Sequence, residues 1–460
     1  MQSKGAKKNL KLVNEPTTRK YAKESKNALN LNYYVMAKMK PEDGDDDHLK
    51  AKIIECRLKK GVDPQGDITK DSYEYYLHFC SMDRRMDRWI PSEQIKTTND
   101  YIEDERKKKE DKDGGDHDGS SDEHEGLDQN SRIAHEEATK LKTIFKVKFG
   151  RYYSETWYYS PYPDEYHDID CIYYCEFCLS FYVSENELKR HIKKCKLVHP
   201  PGNQIYIDPV NKLSVWEIDA SRNFTYCENL SFLSKLFLDH KLLLYSMDMF
   251  LYFCLCEYDE HGHHLVGYFS KNKYFTDGCN LSCILTLPFY QRKGFGKLLI
   301  TLSYELSQIE NKIGSPERPL SDLGKQSYIA WWTQRIVEYL RVKKKDKQVF
   351  TLKQMSEDTF ITIKDMQDAL ERFNLIKKHH NQVYLCTDDK VLDEVYKQCG
   401  RPSIKINREN LHWVPYSGRD PNTISGLPPT KFFINKMLYG DLIKNGNSYY
   451  KNCHFLFPPF

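Results

Sequence analysis

Two residue spacings in this 460-residue chain could do chemistry. Cys175 and Cys178, then His191 and Cys195, have the spacing of a zinc site. Asn186–His191 reads as a helix, and His191 and Cys195 lie four positions apart, so both can face two thiolates from the preceding turn. Four protein ligands leave no position for water, so the expected zinc is structural. Finger spacing can also present a helix to DNA, but one finger reads only about three base pairs. The second spacing is Gln291-Arg292-Lys293-Gly294-Phe295-Gly296. The apolar run Leu281–Leu287 before it reads as a buried strand that Pro288 stops, and Lys297-Leu298-Leu299-Ile300 opens a periodic helix. Strand, glycine-spaced turn and helix can cradle a pyrophosphate, because glycine lets the backbone come close and first-turn N–H groups point at the anion. A nicotinamide or flavin dinucleotide fits less well, since a third glycine and a following acidic residue in a βαβ unit are missing.

The loop, following Thr286-Leu287-Pro288, resembles the acyl-CoA pyrophosphate loop of the N-acetyltransferase superfamily. From about Trp157 to Trp413 the chain resembles a MYST-family histone acetyltransferase. The likeness is carried by Ser160-Pro161-Tyr162-Pro163, the finger spacing, the runs Lys235–Lys241 and Val266–Lys271, and Ser315–Gly324. It implies an α+β protein: a GNAT-like mixed-sheet acetyltransferase core with a zinc finger and a winged-helix-like C-terminal part, preceded by a small β-barrel. It implies transfer of acetyl from acetyl-CoA to lysines of core-histone tails, in the nucleus and within a multisubunit complex acting on nucleosomes. Glu317 is then the general base, Cys283 lies beside the acetyl group, and Lys241 is the autoacetylated lysine. Backbone groups of Cys283, Ile284, Leu285, Thr286 and Leu287 would follow the pantetheine arm. Gln291, Arg292, Lys293, Gly294, Phe295, Gly296, Lys297 and Leu298 would surround the pyrophosphate, with Ser321 also at the cofactor. Ser282 stands where the family more often has alanine.

Taken by themselves these residues say less. Glu317, between Pro316 and Pro319, reads as a solvated loop carboxylate, and a base there implies a partly desolvated pocket. Cys283 sits mid-strand, where free cysteines usually pack. With the family role it could carry acetyl or only shape the pocket. Direct attack by lysine is preferred, because no positive partner for a thiolate is visible nearby in sequence. Lys241 reads as a surface lysine after a helix.

The surrounding elements must position all this. Net charge is +3, so attraction to nucleic acid has to come from local patches. Fourteen cysteines without a secretory leader suggest a reducing compartment, and no apolar run approaches the roughly 18 residues of a membrane span. Residues 1–30 read as a disordered basic tail and 31–98 as a barrel, with strands at Ala51–Arg57 and Glu74–Phe79. Arg84–Ile90 resembles the end of a chromo-barrel (Tudor-knot), departing from the common pattern at Asp83, Met86 and Arg88. Residues 99–140 are a charged linker with too little apolar surface to fold. The acetyltransferase domain takes 141–460, with the finger about 170–197, the acetyl-CoA core about 205–340 and a helix-turn-helix-like part about 345–460. In the barrel, Tyr33, Tyr34, Tyr76, Phe79 and Trp89 could cage a methylated lysine or simply pack. Lys59, Lys60, Arg84, Arg85 and Arg88 could make weak DNA or RNA contacts or form a solvated face, and Arg341 to Lys347 could touch nucleosomal DNA or likewise be solvated. The rival reading is a catalytically weak chromatin-binding scaffold using the barrel and the winged helix.

Overall fold

The computed structural model describes residues 141–416 except 167–168, 242, 244–246, 275–277 and 380–381, and, before them, 28–29, 31, 33–40, 48–59, 61–63, 67–96 and 103–104. Apart from 28–29 and 103–104, the tail and the linker lie outside the described residues, as does everything after 416; the pair 103–104, expected within the linker, is a short strand. The chain divides into two units, Met1–Glu125 and Gly126–Phe460.

In the first unit, β1 (Tyr33–Ala37), β2 (Leu49–Leu58), β3 (Tyr73–Phe79), β4 (Arg88–Pro91) and β5 (Ile95–Lys96) form a sheet in the order β4-β3-β2-β1-β5, and β6 (Glu103–Asp104) also pairs with β1. Every pairing is antiparallel. Alternation does the folding: Tyr73, Tyr75, Leu77 and Phe79 of β3 face inward with Val35, Ala51 and Ile53. A bulge between Ile53 and Glu55 shifts the register of β2.

The second unit begins with β7 (Lys146–Phe149), β8 (Tyr152–Glu155), β9 (Cys171–Tyr174) and β10 (Phe181–Tyr182), ordered β10-β9-β7-β8, followed by α1 (Glu185–Ile192). Its central sheet uses β11 (Asn203–Asp208), β12 (Leu213–Asp219), β13 (Phe250–Asp259) and β14 (Gly262–Asn272), with α2 (Phe224–Lys235) between β12 and β13. β13 is buried along most of its length, as its unbroken run Phe250–Cys256 requires. Next come β15 (Cys279–Leu281), β16 (Ile284–Thr286), α3 (Phe295–Glu310) and β17 (Ser315–Pro316).

The run 281–287, expected as one strand, is split at Ser282–Cys283. β16 closes the central sheet against β14, whereas β15 runs parallel with β17. Ser270 causes the break. Its carbonyl accepts the Ser282 N–H at 2.7 Å, and its hydroxyl accepts the Cys283 N–H at 3.1 Å. The chain therefore slips register and leaves one sheet for the other at Cys283.

α4 (Asp322–Lys345) carries the C-terminal elements, α5 (Leu352–Thr359), α6 (Ile363–Arg372), the hairpin β18 (Ile376–His379) and β19 (Gln382–Leu385), and α7 (Asp389–Gln398). Thr351 and Gln354 form a capping box on α5, and Thr362 caps α6. Helix, turn, helix and wing are thus present, with α5, α6 and α7 packed on α4. Among the described residues no helix is long and apolar enough to cross a membrane.

Candidate active site and metal centre

The metal centre is assembled locally. The turn after β9 supplies Cys175 and Cys178, held by the Leu179 N–H on the Cys175 carbonyl at 2.9 Å. Ser184 caps α1, which carries His191 and leads into Cys195. The four ligand atoms lie within 4.8 Å of one another, with Cys175 Sγ 3.9 Å from Cys195 Sγ. A tetrahedron with bonds of about 2.3 Å has edges of about 3.8 Å, so the donors are gathered at the scale of a zinc site. The finger is tied to the core by His264, whose ring nitrogens lie 2.8 Å from Glu176 and 3.0 Å from Asp259. Burial opposes protonation of His264, but the two carboxylates outweigh it and raise its pKa.

The second constellation is built from distant segments. Cys283 sits at the strand break, half-buried. Lys241 is buried, and its Nζ lies 3.9 Å from Cys283 Sγ. Burial alone would lower the Lys241 pKa, but the Cys283 thiol and the Tyr268 and Tyr252 phenols hold the ammonium above the usual lysine range. Two expectations are corrected here. Lys241 is not a surface lysine, and Cys283 does have a positive neighbour, which sequence could not show because the contact spans 42 positions.

Glu317 follows β17, and its N–H donates to the Leu281 carbonyl at 2.9 Å, two residues before Cys283. Parallel pairing of β15 with β17 therefore brings both residues to one edge. The side chain of Glu317 is exposed, unlike the partly desolvated setting expected for it. Arg318 and Pro319 beside it are exposed too, so none of the described residues covers it.

The glycine loop joins this edge from the other side. Gly294 adopts φ +96° and caps α3 with no side chain, leaving the first-turn N–H groups of Phe295, Gly296 and Lys297 without a side-chain cap. Arg292 holds φ +64°, a left-handed conformation that L side chains rarely adopt and that clusters at functional sites. Arg292 and Lys293 are exposed, and the Lys293 ammonium lies 5.0 Å from the Tyr290 ring centroid. Lys297 points elsewhere. Its Nζ donates to Gln334 Oε1 at 2.9 Å and to the carbonyls of Cys399 and Arg401 at 2.8 and 2.7 Å, so only its backbone faces the loop.

β16 is an edge strand. The Ser270 N–H bonds the Cys283 carbonyl, and the Leu287 N–H bonds the Val266 carbonyl. Alternation then turns Leu285 inward as well and leaves only Ile284 and Thr286 with outward backbone groups. Of these, the Thr286 carbonyl already accepts from Gln291 Nε2 at 3.0 Å. Ser321 caps α4 by accepting the Gly324 N–H at 3.1 Å.

Sequence reasoning missed Phe289. Its ring stacks on Tyr152 at 4.8 Å and on Phe149 at 5.7 Å, so the finger sheet supports the loop that precedes α3. An aromatic pair inside a turn, Phe289-Tyr290, was the available signal, since such residues need a packing partner.

In the first unit the aromatic residues are already engaged. Tyr76 and Phe79 are buried, Lys50 lies 4.9 Å over Tyr34, and Arg57 lies 4.0 Å over Trp89. Arg57 is also paired with Glu74. The cationic residues are engaged as well: Lys59 pairs with Glu93, Arg84 with Asp87 and Arg85 with Asp83. Lys60 lies outside the described residues.

Comparison with known proteins bears on both units. The chain matches the family profile "RNA binding activity-knot of a chromodomain" over residues 29–97, the MYST family zinc finger domain over 141–195 and the MOZ/SAS family over 199–411. It is 44% identical over 375 residues to a protein of Oryza sativa subsp. japonica called putative MYST-like histone acetyltransferase 1, covering 79% of this chain and 81% of that relative. It is 42% identical over 386 residues to histone acetyltransferase of the MYST family 2 from Arabidopsis thaliana, covering 81% of this chain and 83% of the relative. With three family regions in order and such identity over most of both lengths, the chain belongs to the MYST family of histone acetyltransferases.

Proposed function

We propose that the protein transfers acetyl from acetyl-CoA to lysine side chains of core-histone tails, in the nucleus and within a multisubunit complex that addresses nucleosomes. The observation that carries this reading is the convergence of three features on one edge: Cys283 at the sheet break, Glu317 bonded to Leu281, and the uncapped start of α3. Pyrophosphate would lie on the N–H groups of Phe295, Gly296 and Lys297, with Arg292 and Lys293 supplying charge. A Cβ at Gly296 would meet Thr286 Oγ1 at 3.5 Å, an ordinary contact, so packing does not demand glycine there and a close ligand would. The pantetheine arm would pair with Ile284 and Thr286 along β16.

The substrate lysine arrives protonated, and only the neutral amine attacks. The Glu317 carboxylate takes one proton from the ammonium, and the amine nitrogen then bonds to the thioester carbon. The C–S bond breaks with the electron pair leaving on sulfur, and the second amine proton goes to that thiolate, giving free CoA thiol and the acetamide. Being exposed among the described residues, Glu317 can return its proton to water between turnovers, and a histone tail lying over it would supply desolvation.

A second reading has its own observation. Lys241 Nζ lies 3.9 Å from the Cys283 sulfur, and this contact between a nucleophile and an amine at the proposed acetyl site is what an acetyl-Cys283 intermediate would draw on. Acetylation of Lys241 would remove that amine. The barrel's contact with nucleic acid, through Arg84, Arg85 and Arg88, is expected to be weak, because two of the three already face carboxylates. The test of the function is transfer from labelled acetyl-CoA to a mixture of core histones by zinc-loaded protein. Label on specific histone bands is the expected result, and binding of histones without label would favour the scaffold instead.

A further inference from the structure

Arg318, the residue after the candidate base, is exposed, yet its guanidinium turns toward a buried charge on another subdomain. Its Nη2 lies 2.7 Å from Asp365 Oδ1 and 3.4 Å from Asp368 Oδ2. Asp365 is 1% exposed, and its Oδ2 has no hydrogen-bond partner among the described residues. It stands in the first turn of α6, where the helix N-terminus favours negative charge, and the Thr362 cap holds its N–H at 3.2 Å. A buried carboxylate half-satisfied in this way depends strongly on the arginine that reaches it.

The segment leading to Glu317 is anchored to the same region from its other end. The Gly314 N–H donates to the Phe360 carbonyl at 3.1 Å, and Gly314 bridges to Ile361, in the turn between α5 and α6. A Cβ on Gly314 would meet Asn280 Cβ at 2.7 Å, so this entry point is tightly packed. From there the backbone is fixed by the Ser315 N–H on Gly278 and the Glu317 N–H on Leu281, both at 2.9 Å. These bonds set the backbone of Glu317 but leave the next residues on the open surface. Arg318 then pins the chain on the far side of the carboxylate.

We propose that Arg318 is a positioning residue for the reaction, and that its ion pair with Asp365 and Asp368 makes the helix-turn-helix part of the device that aims the Glu317 carboxylate. The proposal rests on the reading of Glu317 as the base. The pair touches neither the glycine loop nor β16, so its loss should alter turnover and spare cofactor binding.

The test is steady-state acetylation of core histones by the full chain carrying Arg318→Gln, with acetyl-CoA affinity measured separately by calorimetry. A misplacement of about an ångström costs on the order of 10²-fold, so kcat should fall roughly 10- to 100-fold while KM and acetyl-CoA affinity stay within about twofold. Arg318→Lys, which keeps the charge but lacks the fork that spans two carboxylates, should recover part of the rate. Asp368→Asn removes an exposed partner without burying an unpaired charge and should show a smaller loss of the same kind. Arg318→Gln combined with Asp365→Asn should regain any lost melting temperature yet remain slow. In a Glu317→Gln background, Arg318→Gln should cost nothing more. Folded Arg318→Gln with wild-type kcat, or an equal loss in both backgrounds, would overturn the proposal while leaving Glu317 as base. Wild-type turnover by Glu317→Gln would overturn the base reading, and the proposal with it.

Discussion

The finger and the proposed catalytic edge each gather a few reactive side chains, but they do so at opposite ranges of sequence. The finger draws Cys175, Cys178, His191 and Cys195 from one short stretch, and a turn and one helix suffice to bring their donor atoms within 4.8 Å. The proposed catalytic edge takes Lys241 from the segment after α2, Cys283 from a break between two sheets and Glu317 from the position following β17. A local site can be specified by spacing. A site made by sheet topology depends on every element that fixes the topology, including Ser270 at the break and Phe289 under the loop.

That contrast can be broken first at the metal. Chelation should unfold the finger, because a structural zinc site contributes folding energy directly. The finger sheet supports Phe289, so acetyl-CoA binding should weaken along with it. An unchanged melting profile and unchanged acetyl-CoA affinity in zinc-free protein would separate the two regions altogether.

Phe289→Ala sharpens the same coupling without touching a ligand of either region. Of its three ring contacts among the described residues, the two that tie the loop to the finger sheet, with Phe149 and Tyr152, are worth about 0.5–1.5 kcal/mol each and are lost. At about 1.4 kcal/mol per tenfold, KM for acetyl-CoA should rise roughly tenfold with kcat little altered. A fall in kcat alone would place Phe289 with the chemistry and not with the cofactor loop.

Cys283→Ala tests how far the edge depends on its thiol. Turnover should stay within about tenfold of wild type, because general-base assistance worth about 10²–10⁴-fold is retained. Isolation of a kinetically competent acetyl-Cys283 species would instead make the covalent route the main one. The smallest effect is expected in the first unit. A trimethyl-lysine peptide should gain no affinity for it over the unmodified peptide, since Arg57 and Lys50 already occupy the faces of Trp89 and Tyr34. Fluorescence polarisation with the pair of peptides would reveal any preference.

Legibility in the sequence followed the same division. The strands around Ile53 and Leu77 and the helix carrying His191 were readable, because period-two and helical patterning are local signals, whereas the α+β class came from the family resemblance. The metal ligands were readable from spacing alone. The run 281–287 misled, because hydrophobicity registers burial but not which sheet does the burying, and a serine on β14 decides that. Lys241 was misread for a related reason: lysine after a helix is ordinarily solvated, and only the packed core reveals the thiol and phenols around it. Likewise the tether of Arg318 to Asp365 spans 47 positions and leaves no local trace.

The most direct test of the account is a single turnover with Glu317→Gln, loaded with labelled acetyl-CoA and mixed with core histones. The account predicts normal acetyl-CoA affinity, an intact melting curve and label that stays on the cofactor. Transfer to histone at the wild-type rate by that variant would contradict it.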